Sequence, residues 1–211
     1  MEITNYKELH ELGLKYSTDK STSHIHKNVS YMQIYDKFLH DKKELPLNFL
    51  EFGILKGNSL RAFRDYFTNS NIIGIDINPT TSFSEDRIET IIGSQDDENI
   101  KKLILEKYVN LDIILDDASH INELIFKSFK LYWPLLNKGG VYIIEDFLPR
   151  DQELSSTRNS WPGQKYNKED VNFDNKKSEY RNFILDILDN IYIGDVFSIH
   201  MYTYMTIIIK E

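Results

Sequence analysis

Residues 47–67 read LNFLEFGILKGNSLRAFRDYF. The stretch opens on a short apolar run, passes through two glycines, and closes on a helical pattern. Gly53 and Gly57 let the backbone turn tightly and approach a ligand. A strand, a glycine turn and a helix in this order make the first half of a βαβ unit.

The same texture repeats along the chain. LNFLEFGI, IIGIDI, ETIIGS, LDIILDD and GGVYIIED are five apolar runs, each of strand length. Continuous apolar runs suit a parallel sheet covered on both faces. Helical patterns separate them: NSLRAFRDYF, DENIKKLILEKY, and INELIFKSFKLYWPLL with Ile121, Leu124, Ile125, Phe129, Tyr132 and Leu136 on one face. Alternating strands and helices predict an α/β fold, an open, doubly wound sheet.

IIGIDI places Asp76 at the end of the second strand, about twenty residues beyond the glycine turn, where an acid can accept from a ribose diol. The turn is G-x-x-x-G, with Glu51 in the preceding strand, and not the dinucleotide pattern G-x-G-x-x-G. Together these features point to a nucleotide-like cofactor. Taken alone, the glycines could be ordinary turn residues.

IILDDASHIN, Ile113–Asn122, ends an apolar run in two aspartates and a histidine. GGVYIIEDF ends the next run in Glu145 and Asp146. In a doubly wound sheet ligands gather beyond the carboxyl ends of neighbouring strands. Asp116, Asp117, Glu145 and Asp146 would meet there and repel one another. A divalent cation resolves that conflict, and carboxylate oxygens suit Mg²⁺. Each residue also has a plainer reading: Asp116 as a buried capping acid, Asp117 as a helix N-terminal acid, Glu145 and Asp146 as a solvated strand end, His120 as a structural imidazole.

Composition narrows the choice. The chain of 211 residues fits one domain. A net charge of −8 argues against a nucleic-acid partner. No cysteine is present, which excludes disulfides and thiolate ligands. No stretch is long and apolar enough for a transmembrane helix, and MEITNYKELHEL does not read as a signal peptide. A cytoplasmic place is expected, and an abundance of Asn, Lys and Ile hints at an AT-rich bacterial genome.

Asn5 with Glu8 resembles a capping box, and Gly13 marks a stop. YMQIYDKFLH has Tyr31, Ile34, Tyr35 and Phe38 at helical spacing. Positions 1–45 thus read as a helical cap. Positions 148–177 are polar and irregular, with Arg158 and Trp161, and read as a substrate lid or a plain surface loop. A helix follows through SEYRNFILDILDN. The chain closes on two strands, around GDVFSIHM and YMTIIIK.

At these motifs the chain resembles the metal-dependent sugar O-methyltransferases of class I, which use S-adenosylmethionine (SAM). The mycinamicin and rhamnosyl O-methyltransferases are examples, with sequences labelled cephalosporin hydroxylase-like. STDKSTSHIH, LEFGILKGNSLRAFRDYF, IIGIDI, LDDASH, GGVYIIEDF and FSIHMYTYMTIIIK carry the resemblance over nearly the whole chain. It implies a Rossmann-like fold: a mostly parallel seven-stranded sheet with an antiparallel C-terminal strand and helices on both faces. It implies Mg²⁺ ligated by Asp117, Glu145 and Asp146, with His120 as general base. Glu51, Gly53, Gly57, Ser59 and Asp76 would line the SAM site, with Ser94 and Gln95 near the adenine and Asp116 near the methionine end. Relatives commonly carry Gly where Ala118 stands and an acid where Ser94 stands. Thr18–Lys20 would close over cofactor or substrate.

The expected function is methyl transfer to a hydroxyl of a sugar: nucleotide-linked, within a surface polysaccharide, or in a natural-product glycoside. Other small-molecule or phosphorylated acceptors are an alternative. So are a nicotinamide oxidoreductase, a non-haem iron hydroxylase and a nucleotide-binding protein without catalysis. A small-molecule partner is expected, with no nucleic acid and no membrane; a homo-oligomer is neither specified nor excluded.

Overall fold

The computed structural model describes residues 3–22, 24–26, 29–147 and 177–211. The expected lid at 148–177, with Arg158 and Trp161, lies outside the described residues except for the start of a helix at Lys177.

The chain opens with helices α1 (Glu8–Lys15) and α2 (Asp19–Thr22), a small pair of strands β1 (His24–His26) and β2 (Val29–Ser30), and helix α3 (Tyr31–Leu39). The sheet follows: β3 (Asn48–Phe52), α4 (Asn58–Tyr66), β4 (Asn71–Asp76), β5 (Ser84–Glu85), β6 (Ile88–Ile92), α5 (Glu98–Lys107), β7 (Leu111–Asp116), α6 (Asn122–Tyr132), β8 (Leu136–Glu145), α7 (Lys177–Ile193), β9 (Val196–Tyr202) and β10 (Met205–Lys210). All five apolar runs are strands.

Eight strands form one sheet in the order β5-β6-β4-β3-β7-β8-β10-β9. β6, β4, β3, β7 and β8 run parallel, and β10 runs against β8. The expected seven strands are present. The eighth, β5, is a two-residue edge strand antiparallel to β6.

Alternation along each strand explains the two cores. Phe49, Ile72, Ile113, Ile143 and Ile207 face one side, packed with Leu9, Ile34, Tyr35, Leu60 and Phe63 of α1, α3 and α4. Leu50, Ile73, Ile114, Ile144 and Ile208 face the other, packed with Ile104, Ile125, Phe129 and Phe183 of α5, α6 and α7. A strand buried on both faces has no polar side to show, hence the unbroken apolar runs.

The order reverses between β3 and β7. β4 and β6 lie to one side of β3, and the crossover from β6 through α5 lands on the other, at β7. Such a switch point opens a crevice beyond the strand ends.

Two N-terminal details differ from expectation. Asn5 and Glu8 form no capping box. α1 begins at Glu8, whose carboxylate takes Lys43 at 3.0 Å, and the Leu9 N–H is satisfied by Asp36 of α3 instead. Gly13 does not stop α1, which runs to Lys15; the turn comes at Ser17, φ +57°. Gly13 serves packing: a Cβ there would lie 2.0 Å from Ser21 Oγ. α2 therefore rests directly on α1.

Candidate active site

The loop after β3 is built around Gly53, at φ +95°, a region that favours glycine. Its N–H donates to the Ile75 carbonyl at 2.8 Å. A Cβ on Gly53 would lie 2.3 Å from the Asp117 carbonyl oxygen, so the loops after β3 and β7 touch here. Gly57, φ +69°, opens α4 beneath the Phe83 ring. Asp76, at the end of β4, accepts from the Ile54 N–H at 2.9 Å, the Leu55 N–H at 3.3 Å and the Asn78 N–H at 2.8 Å. It shapes the glycine loop as well as flanking it.

Glu51 is fully buried in β3. Its Oε1 accepts from Ser59 Oγ at 2.7 Å, and its Oε2 has no hydrogen-bond partner among the described residues. Burial pushes its carboxyl up to about 8, against the pull of Lys20 and Ser59. An unpartnered buried carboxyl oxygen is costly and marks a place where a polar partner is wanted.

The ends of β7 and β8 meet beside this loop. His120 Nε2 lies 2.8 Å from Asp117 Oδ1, and His120 Nδ1 lies 3.5 Å from Asp146 Oδ2. One ligand atom from each of Asp117, His120 and Asp146 falls within 4.8 Å of the others, a spacing that can hold a metal ion. Glu145 turns inward. It is buried, bonded by the Tyr35 hydroxyl of α3, and lies 2.8 Å from Lys20 Nζ. Lys20 also donates to Asp117 and stands 4.0 Å from Glu51. Burial pushes up the Glu145 carboxyl, and the Asp117 charge adds to this. Burial also works against Asp117, but Lys20 and His120 outweigh it and hold its carboxyl down at about 2.

Asp116 points away from this cluster. Its oxygens accept from Gln95 Nε2 at 3.0 Å and Ser128 Oγ at 2.5 Å, all three buried. Gln95 Oε1 takes the Ser119 N–H at 3.2 Å. The pair thus braces the loop that carries His120. Ser94 donates to Asp96 Oδ1 at 2.5 Å.

Tyr35 and Lys20 join the site without a local signal that assigns them a role there. Tyr35 reads as one more apolar position on a helix. Lys20 stands in the singled-out Thr18–Lys20 stretch, but its partners are far along the chain.

The residues fit both groups that the resemblance implies. For SAM, the unpartnered Glu51 oxygen offers a buried polar contact beside the glycine loop. For Mg²⁺, the donors are hard carboxylate oxygens, and the Lys20 ammonium already sets a positive charge among them.

Sequence comparisons agree with this geometry. The chain is 34% identical over 146 residues to demethylmacrocin O-methyltransferase of Streptomyces fradiae. It is as similar, over the same length, to mycinamicin VI 2''-O-methyltransferase of Micromonospora griseorubida. Each match takes in 66% of this chain and 36% of the relative. The chain thus spans about a third of the length of these curated relatives. No protein-family model matches it. The MycE methyltransferase of mycinamycin biosynthesis, solved with Mg and SAH, superposes with a TM-score of 0.74 at 24% identity, over 96% of this chain and 54% of that one.

The fold is that of the SAM-dependent methyltransferases. In sequence the chain resembles their sugar O-methyltransferases. MycE has also been solved with mycinamycin VI bound beside Mg and SAH. The expected Rossmann-like sheet and the expected resemblance are both borne out.

Proposed function

We propose that the protein is a SAM-dependent, Mg²⁺-dependent O-methyltransferase acting on a sugar hydroxyl. One observation carries the reading: the glycine loop that suits a nucleotide-like cofactor lies against the backbone of Asp117 in the acid–histidine cluster. Donor and acceptor sites would share one wall. The sugar O-methyltransferases among its relatives support the substrate class.

Residues 1–211 act as one methyltransferase domain, with 1–45 as a helical cap. Asp117, Glu145 and Asp146 would hold Mg²⁺. Glu51, Gly53, Gly57, Ser59, Asp76 and Ser94 line the cofactor site, and Gln95 with Asp116 braces its floor. When bound, SAM supplies an activated methyl group, and Mg²⁺ lowers the pKa of the acceptor hydroxyl. His120 takes the hydroxyl proton as general base. With a proton on Nε2 shared with Asp117 Oδ1, its Nδ1 carries the accepting lone pair. Asp117 orients the ring and stabilises the imidazolium that forms. The glycine loop and the β7–α6 loop chiefly align donor and acceptor.

The acceptor is a nucleotide-linked sugar, a sugar of a surface polysaccharide, or a natural-product glycoside. The net charge of −8 favours a small molecule over nucleic acid. A cytoplasmic, bacterial setting goes with this chemistry. Among the described residues no helix is long and apolar enough to cross a membrane.

The test is SAM consumption against a panel of activated sugars and glycosides, with and without EDTA. Turnover should stop on chelation and return with Mg²⁺. Turnover indifferent to EDTA would remove the metal from the reading, and binding of NADH in place of SAM would remove the transferase.

A further inference from the structure

Lys20 is the feature of the site with no assigned task. Its side chain is only 4% exposed, yet it carries a full charge. It reaches three carboxylates: Asp117, Glu145 and, more distantly, Glu51. The first two are proposed metal ligands, and the third belongs to the cofactor loop. A buried ammonium is tolerated only when paired this closely.

A divalent ion on the Asp117 and Glu145 oxygens needs them at about 2.0–2.1 Å for magnesium. Lys20 Nζ already touches both residues. The two cations cannot occupy one point, and at close range they repel. Glu51 offers the ammonium a second berth: its Oε1 lies 4.0 Å from Nζ, and its buried Oε2 lacks a partner among the described residues.

We propose that Lys20 is a resident counter-cation that exchanges with the divalent ion. When the ion enters, Nζ leaves Asp117 and Glu145 and swings toward Glu51. This rests on the metal reading above and adds a coupling to it, because the lysine that leaves the metal acids arrives at the cofactor acid.

The exchange has a mechanical consequence. Lys20 sits in the four-residue α2, held by few bonds: Thr18 N–H to the Gly13 carbonyl at 3.0 Å, Ser21 N–H to the Thr18 carbonyl at 3.2 Å, and Ser21 Oγ to the His10 carbonyl at 3.0 Å. Its charge pairs are the contacts that join α2 to β7 and β8. Releasing them loosens segment 18–22.

The experiment uses the full chain and Mg²⁺ alone. Hydrogen exchange is followed by mass spectrometry on the peptide covering 16–22, and Mg²⁺ affinity by calorimetry, for the unmodified protein and Lys20→Met. Mg²⁺ should speed exchange in 18–22 of the unmodified protein and leave that of Lys20→Met unchanged. Lys20→Met should bind Mg²⁺ about tenfold more tightly, having lost its competitor. If Mg²⁺ binds but exchange in 18–22 does not change, Lys20 stays in place and the proposal falls while the metal reading stands. If neither protein takes Mg²⁺, the metal reading fails and the proposal with it. Should circular dichroism show Lys20→Met unfolded, the exchange result on the unmodified protein decides alone.

Discussion

The contact between the cofactor loop and the metal-acid loop can be tested with one methyl group. Gly53→Ala adds a Cβ 2.3 Å from the Asp117 carbonyl oxygen, 2.9 Å from its carbon and 3.2 Å from the Ala118 Cα. Neither side can yield cheaply. The Gly53 N–H is bonded to Ile75, and the Asp117 N–H to Phe52 at 3.0 Å. Holding alanine at φ +95° costs about 1–2 kcal/mol, and overpacking a close contact adds about 1–3 kcal/mol. A loss of about 3 kcal/mol is expected from urea unfolding at neutral pH. Gly194→Ala is the control: its φ is +78°, but nothing lies within 4 Å of the new Cβ, so only the backbone cost remains. The difference between the two variants isolates the loop contact. Equal losses in both would refute the claim that the two loops are pressed together. By calorimetry Gly53→Ala should also weaken SAM and Mg²⁺ together, since Asp117 must move to make room.

Other substitutions separate the proposed roles. His120→Ala should lower methyl transfer by about 10²–10⁴-fold, the usual weight of a general base, while SAM affinity by calorimetry stays as it was; full activity would end the general-base assignment. Asp76→Ala frees three backbone N–H groups of the loops it holds, and SAM should bind about tenfold or more weakly; unchanged affinity would contradict its place at the cofactor. Asp65 fastens the end of α1 to α4, accepting from Lys15 at 2.8 Å, the Tyr16 hydroxyl at 2.5 Å and Arg64 at 3.0 Å. Burial works against its charge, but these three donors prevail and hold its carboxyl at about 2, below the ordinary 3.8. Nearly two pH units at 1.36 kcal/mol each, discounted for its partial exposure, give at most about 2 kcal/mol. A depressed carboxyl stabilises above 3.8 and loses that contribution as pH falls toward 2. Asp65→Asn should therefore unfold earlier in urea at pH 7, and its deficit should shrink steadily below pH 3.8; a deficit unchanged in acid would rule out the ionic origin.

What could be read from the sequence depended on how local each signal was. Four of the five strands showed because they are buried on both faces, so Phe49 and Leu50, on opposite sides of the sheet, are both apolar; β6, nearer the sheet edge, is apolar but only half-buried beyond Ile88. β5 did not show, since Ser84 and Glu85 are exposed and pair only because the edge of β6 is free to accept them. Asn5 and Glu8 matched a capping pattern that the fold does not use, because Lys43 competes for the glutamate. The box that does form, Ser30 with Gln33 at the start of α3, carries the same spacing. Asp117, His120, Glu145 and Asp146 were legible as strand-end charges. The inward turn of Glu145 was not, because it depends on Tyr35 and Lys20, which are 110 and 125 residues away in sequence. Asp116 could be read two ways, and its buried bonds to Gln95 and Ser128 favour the bracing role.

Backbone strain offers an independent pointer to the same place. Among the described residues, five non-glycine residues have left-handed φ: Ser17, Leu55, Arg87, His120 and Asp146. Such conformations cost about 1 kcal/mol or more each and persist where the surroundings over-determine them. Three of the five follow β3, β7 and β8, adjacent strands at the switch point. Leu55 lies in the glycine loop, and His120 and Asp146 are themselves members of the acid–histidine cluster. A fourth, Ser17, turns the chain into α2 and so aims Lys20 at that cluster. Only Arg87, in the turn between β5 and β6, stands apart; its guanidinium binds the carbonyls of Phe67 and Arg64 at 2.7 and 2.9 Å. Chance would scatter such residues over all the loops. Instead, four of the five deliver a side chain or a loop to one point, the point where the carboxylates already crowd. Strain and charge repulsion are separate costs, and a fold has no structural reason to concentrate both there. A bound cation that neutralises the acids, and a cofactor that fills the glycine loop, would offset both at once.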